Sequence, residues 1–128
     1  MDQIKTIAPF HTDDRGSISY LSDKKIEIKD VLVLDSKKGA VRANHYHKND
    51  IHYMYIVSGK FEYISKDMRK TNSKPEHVIV GAGEMVITPP MFAHKVKFLE
   101  DTVAIVLTTE PRDQEHYEKD TIRLEVEE

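Results

Sequence analysis

Four histidines are the residues of this chain best suited to chemistry. His45 and His47 are separated by one residue, His52 follows four residues later, and His94 lies beyond a second segment rich in glycine and proline. On a strand, residues two apart project from the same face, so His45 and His47 point together into one space. Two adjacent imidazoles can clamp a metal ion or work as an acid/base pair. With no cysteine in the chain, thiolate ligands and disulfides are excluded, and any metal is left to imidazole and carboxylate. An all-nitrogen shell from His45, His47, His52 and His94 suits a divalent transition metal such as Zn, Fe, Mn, Ni or Cu. Such a shell leaves room for water or substrate. Without a metal, the same rings are ordinary strand histidines or proton carriers.

These side chains require strands to converge them, and the sequence supplies strand patterns. Residues 3–8 and 17–21 read as short strands around the turn His11-Thr-Asp-Asp-Arg-Gly16. Residues 26–34 pass from alternation into a continuous apolar run, as expected of a strand entering a core. In the next strand Ala43, His45 and His47 share one face, with Arg42, Asn44 and Tyr46 on the other. The run from Ile51 to Val57 is apolar or aromatic at nearly every position, so alternation alone leaves the face of His52 open. Residues 66–75 read as a polar loop. Pro89-Pro90 marks a strand end, and Phe92, His94, Val96 and Phe98 then alternate with Ala93, Lys95, Lys97 and Leu99. Burying both lysines is costly, so the lysine face looks outward and His94 inward. Residues 102–108 form another core strand, residues 110–120 a short helical turn, and residues 121–126 a last strand, one that a partner chain could exchange. Many short strands with glycine and proline punctuation indicate an all-β antiparallel barrel or sandwich.

The 128 residues fit a single domain, 1–128. The net charge of -3 provides no basic field for nucleic acid. No apolar run is long enough for a signal peptide or a membrane span, so the expected location is cytoplasmic, with no membrane partner.

Gly39, five residues, His45-x-His47, four residues, His52, six residues and Gly59 together resemble the first motif of the cupins, which usually has Glu at the position of His52. On this resemblance His52 faces inward with Met54 and Ile56. Gly83, Pro89 and His94 match the second motif, with Met91 in place of its inner Gly and Phe98 in place of its final Asn. The resemblance implies a cupin (RmlC-like) antiparallel β-barrel or jelly roll with a short C-terminal helical turn, pairing as a homodimer. Within that superfamily, Asp14-Arg-Gly16, Arg42-Ala-Asn-His-x-His47 and the Gln-Glu-x-Tyr stretch at 114–117 resemble the nucleotide-sugar 3,4-ketoisomerases. That resemblance implies a nucleotide-linked keto-sugar substrate held by Arg15 and Arg42, isomerised or epimerised by proton transfer through an enediol(ate). His45 and His47 would move the protons, or a metal on the four histidines would steady the enediolate while water or Tyr55 moves them. The alternatives are a four-histidine metal-dependent oxygenase and a non-catalytic sugar-binding or small-ligand-binding barrel. The chain departs from the ketoisomerases at two points: Val31-Leu-Val-Leu34 lacks their barrel tyrosine, and His52 stands where they keep a carboxylate.

Overall fold

The computed structural model describes residues 1–22 and 26–128. Its strands are β1 (Ile4–Thr6), β2 (Pro9–Asp13), β3 (Gly16–Ser19), β4 (Asp30–Ser36), β5 (Val41–His47), β6 (His52–Ser58), β7 (Lys60–Asp67), β8 (Glu76–Gly81), β9 (Glu84–Thr88), β10 (Phe92–Phe98) and β11 (Thr102–Thr108), followed by helix α1 (Gln114–Asp120) and β12 (Thr121–Arg123). Two five-stranded antiparallel sheets, ordered β1-β9-β6-β11-β4 and β12-β5-β10-β7-β8, face one another. The β2–β3 hairpin forms a separate two-stranded sheet. This is the expected all-β jelly roll with one short helix.

The core lies between the two sheets, where Ile56, Phe61, Tyr63, Val80, Val86, Val96 and Phe98 pack together. Each fully buried Ile or Phe there contributes about 1.5–3 kcal/mol relative to exposure. The β7–β10 register sets His94 opposite Ser65, Val96 opposite Tyr63 and Phe98 opposite Phe61. Cross-strand partners share a face, so His94 is carried inward with the core residues.

Tight turns connect β6 to β7 and β8 to β9. Gly59, at φ 98°, has no room for a side chain, because a Cβ there would collide with Thr102 and the Asp101 carbonyl. Met91, standing where the resembled motif has Gly, keeps the left-handed backbone at φ 67°. Its N–H donates to the His47 carbonyl (2.8 Å), which ties the start of β10 to the end of β5.

Three expectations are corrected. The strand placed at 26–34 begins only at Asp30, because its partner β11 ends at Thr108, just before Glu110-Pro111. The final strand is shorter than the expected 121–126: β12 ends at Arg123, pairing Thr121 with His47 and Arg123 with His45, and residues 124–128 continue without strand pairing. Lys95 does lie on the outer face, but it is buried, because residues 124–128 fold over it. Its Nζ donates to Glu125 and Glu128, both at 2.7 Å.

Candidate active site

A β-bulge in β5 builds the site. Ala43 (φ 71°) and Asn44 (φ 57°) are both left-handed, and the register with β10 shifts between His94↔His45 and Lys95↔Ala43. The extra residue breaks the strict alternation expected from the sequence. As a result Arg42, opposite Val96, faces the cavity together with His45 instead of lying on the opposite side. Two non-glycine residues in this region cost about 1–2 kcal/mol each. Asn44 recovers part of that cost: its carbonyl accepts from Leu124 N–H (3.1 Å) and its Oδ1 from Val126 N–H (3.2 Å).

His45, His47 and His94 come together. Ring centroids are 4.6 Å apart for His45–His47 and 4.8 Å for His45–His94, and a set of their ring nitrogens lies within 4.8 Å of one another. Burial lowers the pKa of His45 to about 2, reinforced by the neighbouring His94, His47 and His52. His47 is lowered to about 3 by burial and then by His52 and His94. His94 is lowered to about 4, mainly by burial, although its bond to the Phe92 carbonyl works the other way. All three rings are therefore neutral at physiological pH, the form that carries a lone pair.

Surrounding groups orient those lone pairs. His94 Nδ1 donates to the Phe92 carbonyl at 3.0 Å, which leaves Nε2 as the acceptor. His47 Nδ1 lies 3.2 Å from Thr121 Oγ1 and 3.8 Å from Asp120 Oδ2. His47 Nε2 is buried with no hydrogen-bond partner among the described residues. A buried nitrogen without a partner is costly unless something binds it.

His52 stands beside this trio, its ring centroid 4.5 Å from that of His47. Its Nε2 donates to Asp50 Oδ2 at 2.7 Å. Asp50 is buried, and its Oδ1 also accepts from the backbone N–H groups of Thr109 (3.0 Å) and Glu110 (3.1 Å). Burial raises the Asp50 pKa, but the hydrogen bond and charge of His52 and the two N–H donors prevail, so it ends below the ordinary value. Asp50 thus fixes the His52 tautomer. His47, Asp50 and His52 form a second compact group that shares His47 with the first.

His45, His52 and His94 open onto a cavity of about 500 Å³ between the sheets, lined also by Arg42, Arg112, Tyr117 and Met54, while His47 stands behind them, in contact with His45 and His52. Arg42 donates from Nε to Ser36 Oγ at 3.1 Å. Among the described residues neither Arg42 nor Arg112 forms a contact ion pair, although the charge of Arg112 is felt by Glu118 on α1, so both guanidiniums can turn to an anion. A second cavity, about 570 Å³, opens between residues 1–3 and the 67–76 loop. It holds none of the histidines, and its Arg69 is already paired with Asp67 at 2.9 Å, so the smaller, histidine-lined cavity is the candidate site.

Two candidates from the sequence lie elsewhere. Tyr55 pairs with Ile105 and Met85, and it alternates with the inward His52, Met54 and Ile56, so it sits on the outer face of β6 and does not line the cavity. Arg15 is on the exposed β2–β3 hairpin, where it donates to Asp13 at 2.8 Å. Sequence reading missed Asp50, Arg112 and Tyr117 as site residues. Asp50 reads as a turn residue and Arg112 as a charge after proline, whereas Tyr117 had a signal in its Gln-Glu-x-Tyr stretch.

An antiparallel jelly roll with His-x-His on one inner strand and a third histidine on its neighbour defines a cupin. The chain belongs to the polysaccharide biosynthesis C-terminal domain family, whose profile matches residues 11–122. No curated protein matches it significantly. Among solved structures, it is similar to the WlaRB TDP-quinovose 3,4-ketoisomerase from Campylobacter jejuni, with 22% identity over 94% of this chain and 90% of that one and a TM-score of 0.78. A 3,4-ketoisomerase from Helicobacter canadensis shares 20% identity over 94% of this chain and 88% of that one, at a TM-score of 0.77. The capsular polysaccharide assembling protein CapF from Staphylococcus aureus shares 28% identity over 91% of this chain but 34% of that protein, at a TM-score of 0.63. Among the described residues no helix is long and apolar enough to cross a membrane.

Proposed function

We infer that this protein is a metal-binding sugar isomerase or epimerase acting on a nucleotide-linked keto-sugar. The observation that carries the reading is the buried Nε2 of His47, without a hydrogen-bond partner among the described residues, which converges with His45 and His94 beside a cavity lined by Arg42 and Arg112. The similarity to 3,4-ketoisomerases supports the isomerase part of the reading, and the metal rests on the histidines alone. Three neutral imidazoles, two of them oriented by outer hydrogen bonds, fit a divalent transition metal. His45, His47 and His94 would hold the ion. His52, with Nε2 committed to Asp50, joins them only through Nδ1 or by exchanging that bond. A bound ion supplies Lewis acidity towards a ketone oxygen. Arg42 and Arg112 would hold the anionic oxygens of the substrate.

The reading favours metal binding by His45 and His47 over proton transfer by them, because rings with pKa near 2 and 3 are weak bases at neutral pH. A homodimer is part of the proposal. The β2–β3 hairpin exposes Phe10, Ile18 and Tyr20, and β4 is an unpaired sheet edge exposing Val31 and Val33. Arg15 lies outside this chain's own cavity and would contact substrate only across such a pairing.

The test is elemental analysis of untagged protein, wild type and His94→Ala, followed by assay with TDP-4-keto-6-deoxyglucose, the sugar bound by a mutant 3,4-ketoisomerase of similar fold. Near-stoichiometric metal lost in the variant, together with isomerised product, is expected. Product formed by wild-type protein that holds no metal refutes the metal assignment, and no reaction with any 4-keto-sugar nucleotide refutes the isomerase.

A further inference from the structure

Keto-sugar isomerisation needs a group that delivers a proton to carbon, and the chain lacks a tyrosine on the strand before His-x-His. The six tyrosines can be sorted by position. Tyr20 follows the hairpin, Tyr46 pairs with Ile122 of β12, and Tyr53 and Tyr55 alternate with the inward residues of β6. Tyr63 is inside, but its hydroxyl is bonded to Thr88 Oγ1 at 2.7 Å, and burial pushes its pKa up to about 12. Tyr117 alone lines the histidine cavity.

The geometry around Tyr117 is built. Its ring centroid is 5.8 Å from that of His47 and 6.2 Å from that of His45. The Arg112 guanidinium stacks 3.5 Å over the ring, and Arg123 lies 5.8 Å away. The short helix carrying it is capped by Asp113 at its start. At its end Asp120 accepts from the backbone N–H of Asn49 (2.8 Å) and Asp50 (3.1 Å), which pins it to the turn after His47. The hydroxyl has no hydrogen-bond partner among the described residues.

We propose that Tyr117 is a catalytic residue that delivers the proton to carbon in the isomerisation. The inference rests on the isomerase reading above. For a 3-hydroxy-4-keto sugar, the C3 proton leaves to pocket water, and its electron pair becomes the C3–C4 double bond as O4 takes a proton from that water. The Tyr117 O–H then gives its proton to C4. The O3–H bond releases its proton to the phenolate, and that electron pair becomes the C3 carbonyl. Substrate and product are isomers, and the tyrosine ends as it began. The stacked guanidinium holds the ring against the cavity and places positive charge beside the transient phenolate.

The experiment follows TDP-linked and UDP-linked 4-keto-sugars in D2O by NMR, with wild type, Tyr117→Phe and the outer-face control Tyr55→Phe. The phenylalanine ring keeps the stacking, and unfolding curves check that each variant is folded. Tyr117→Phe is expected to slow product formation by about 10²-fold, the low end for a lost general acid, while exchange of the C3 hydrogen in recovered substrate continues at near the wild-type rate. Tyr55→Phe matches wild type in both. Equal product formation by Tyr117→Phe and wild type overturns the proposal, as does a parallel fall of exchange and product formation. A wild-type protein that exchanges no hydrogen from any of these sugars overturns the isomerase reading and this inference with it.

Discussion

Acidification should destabilise this protein through its histidine cluster, by an amount the site geometry allows to be worked out. In the unfolded chain these rings titrate near 6.5; folded, His45, His47 and His94 titrate near 2, 3 and 4. A depressed histidine pKa means that the unfolded state binds protons the native state refuses. The stability is therefore fully present above about pH 6.5 and is lost as pH falls towards the native values. At pH 5 each ring has lost about 2 kcal/mol, and the three together about 6 kcal/mol. That is comparable to the whole stability of a typical domain, about 5–15 kcal/mol. His77, raised by its bonds to the Glu128 carbonyl and Glu62, and His116, raised by Asp113, act in the opposite sense, but both are solvent-exposed and screened. The assay is urea denaturation in EDTA at pH 7.5 and pH 5. With an m-value of about 2 kcal/mol per molar, the midpoint should fall by about 3 M. His94→Gln should remove about a third of the pH dependence, because one of the three buried rings is gone. Equal urea midpoints at the two pH values would refute the reasoning, since they would mean that the rings are hydrated or charged in the native state.

Other outcomes follow from the same contacts. Asp50→Asn sets an amide NH2 against His52 Nε2 and reverses the tautomer; it should weaken Zn binding about 10–100-fold by calorimetry and cost about 1.5–3 kcal/mol in urea. Gly59→Ala places a methyl group against Thr102 and Asp101 at φ 98°, so a loss of at least about 1–3 kcal/mol is expected; an unchanged urea midpoint would contradict the packing. Asn44→Ala removes the acceptor for Val126 N–H and leaves alanine in a left-handed backbone. Faster hydrogen exchange at Val126 and a stability loss of about 1–3 kcal/mol should accompany it.

The sequence by itself determined the all-β class, the inward His94 and the grouping of His45 with His47. The reasons are local: a period of two fixes which side chains share a face, and lysines alternating with apolar residues and His94 fix which face is wet. Gly39, Gly59 and Gly83, read from the resembled motifs, each adopt the left-handed backbone that favours glycine. Only the tertiary structure decided the rest of the site. Arg42 faces the cavity because two left-handed residues insert a bulge that strict alternation cannot foresee. Tyr117 and Arg112 enter because Asp120 ties the helix to the turn after His47, a contact between residues about seventy positions apart. Asp50 becomes the buried partner of His52 only when the Thr109–Glu110 backbone arrives to share its charge. Lys95, exposed by its pattern, is buried by a chain segment whose docking depends on Asn44 and Val126. Alternation records which way a side chain points from its own strand, and it carries no information about what the chain later folds against it.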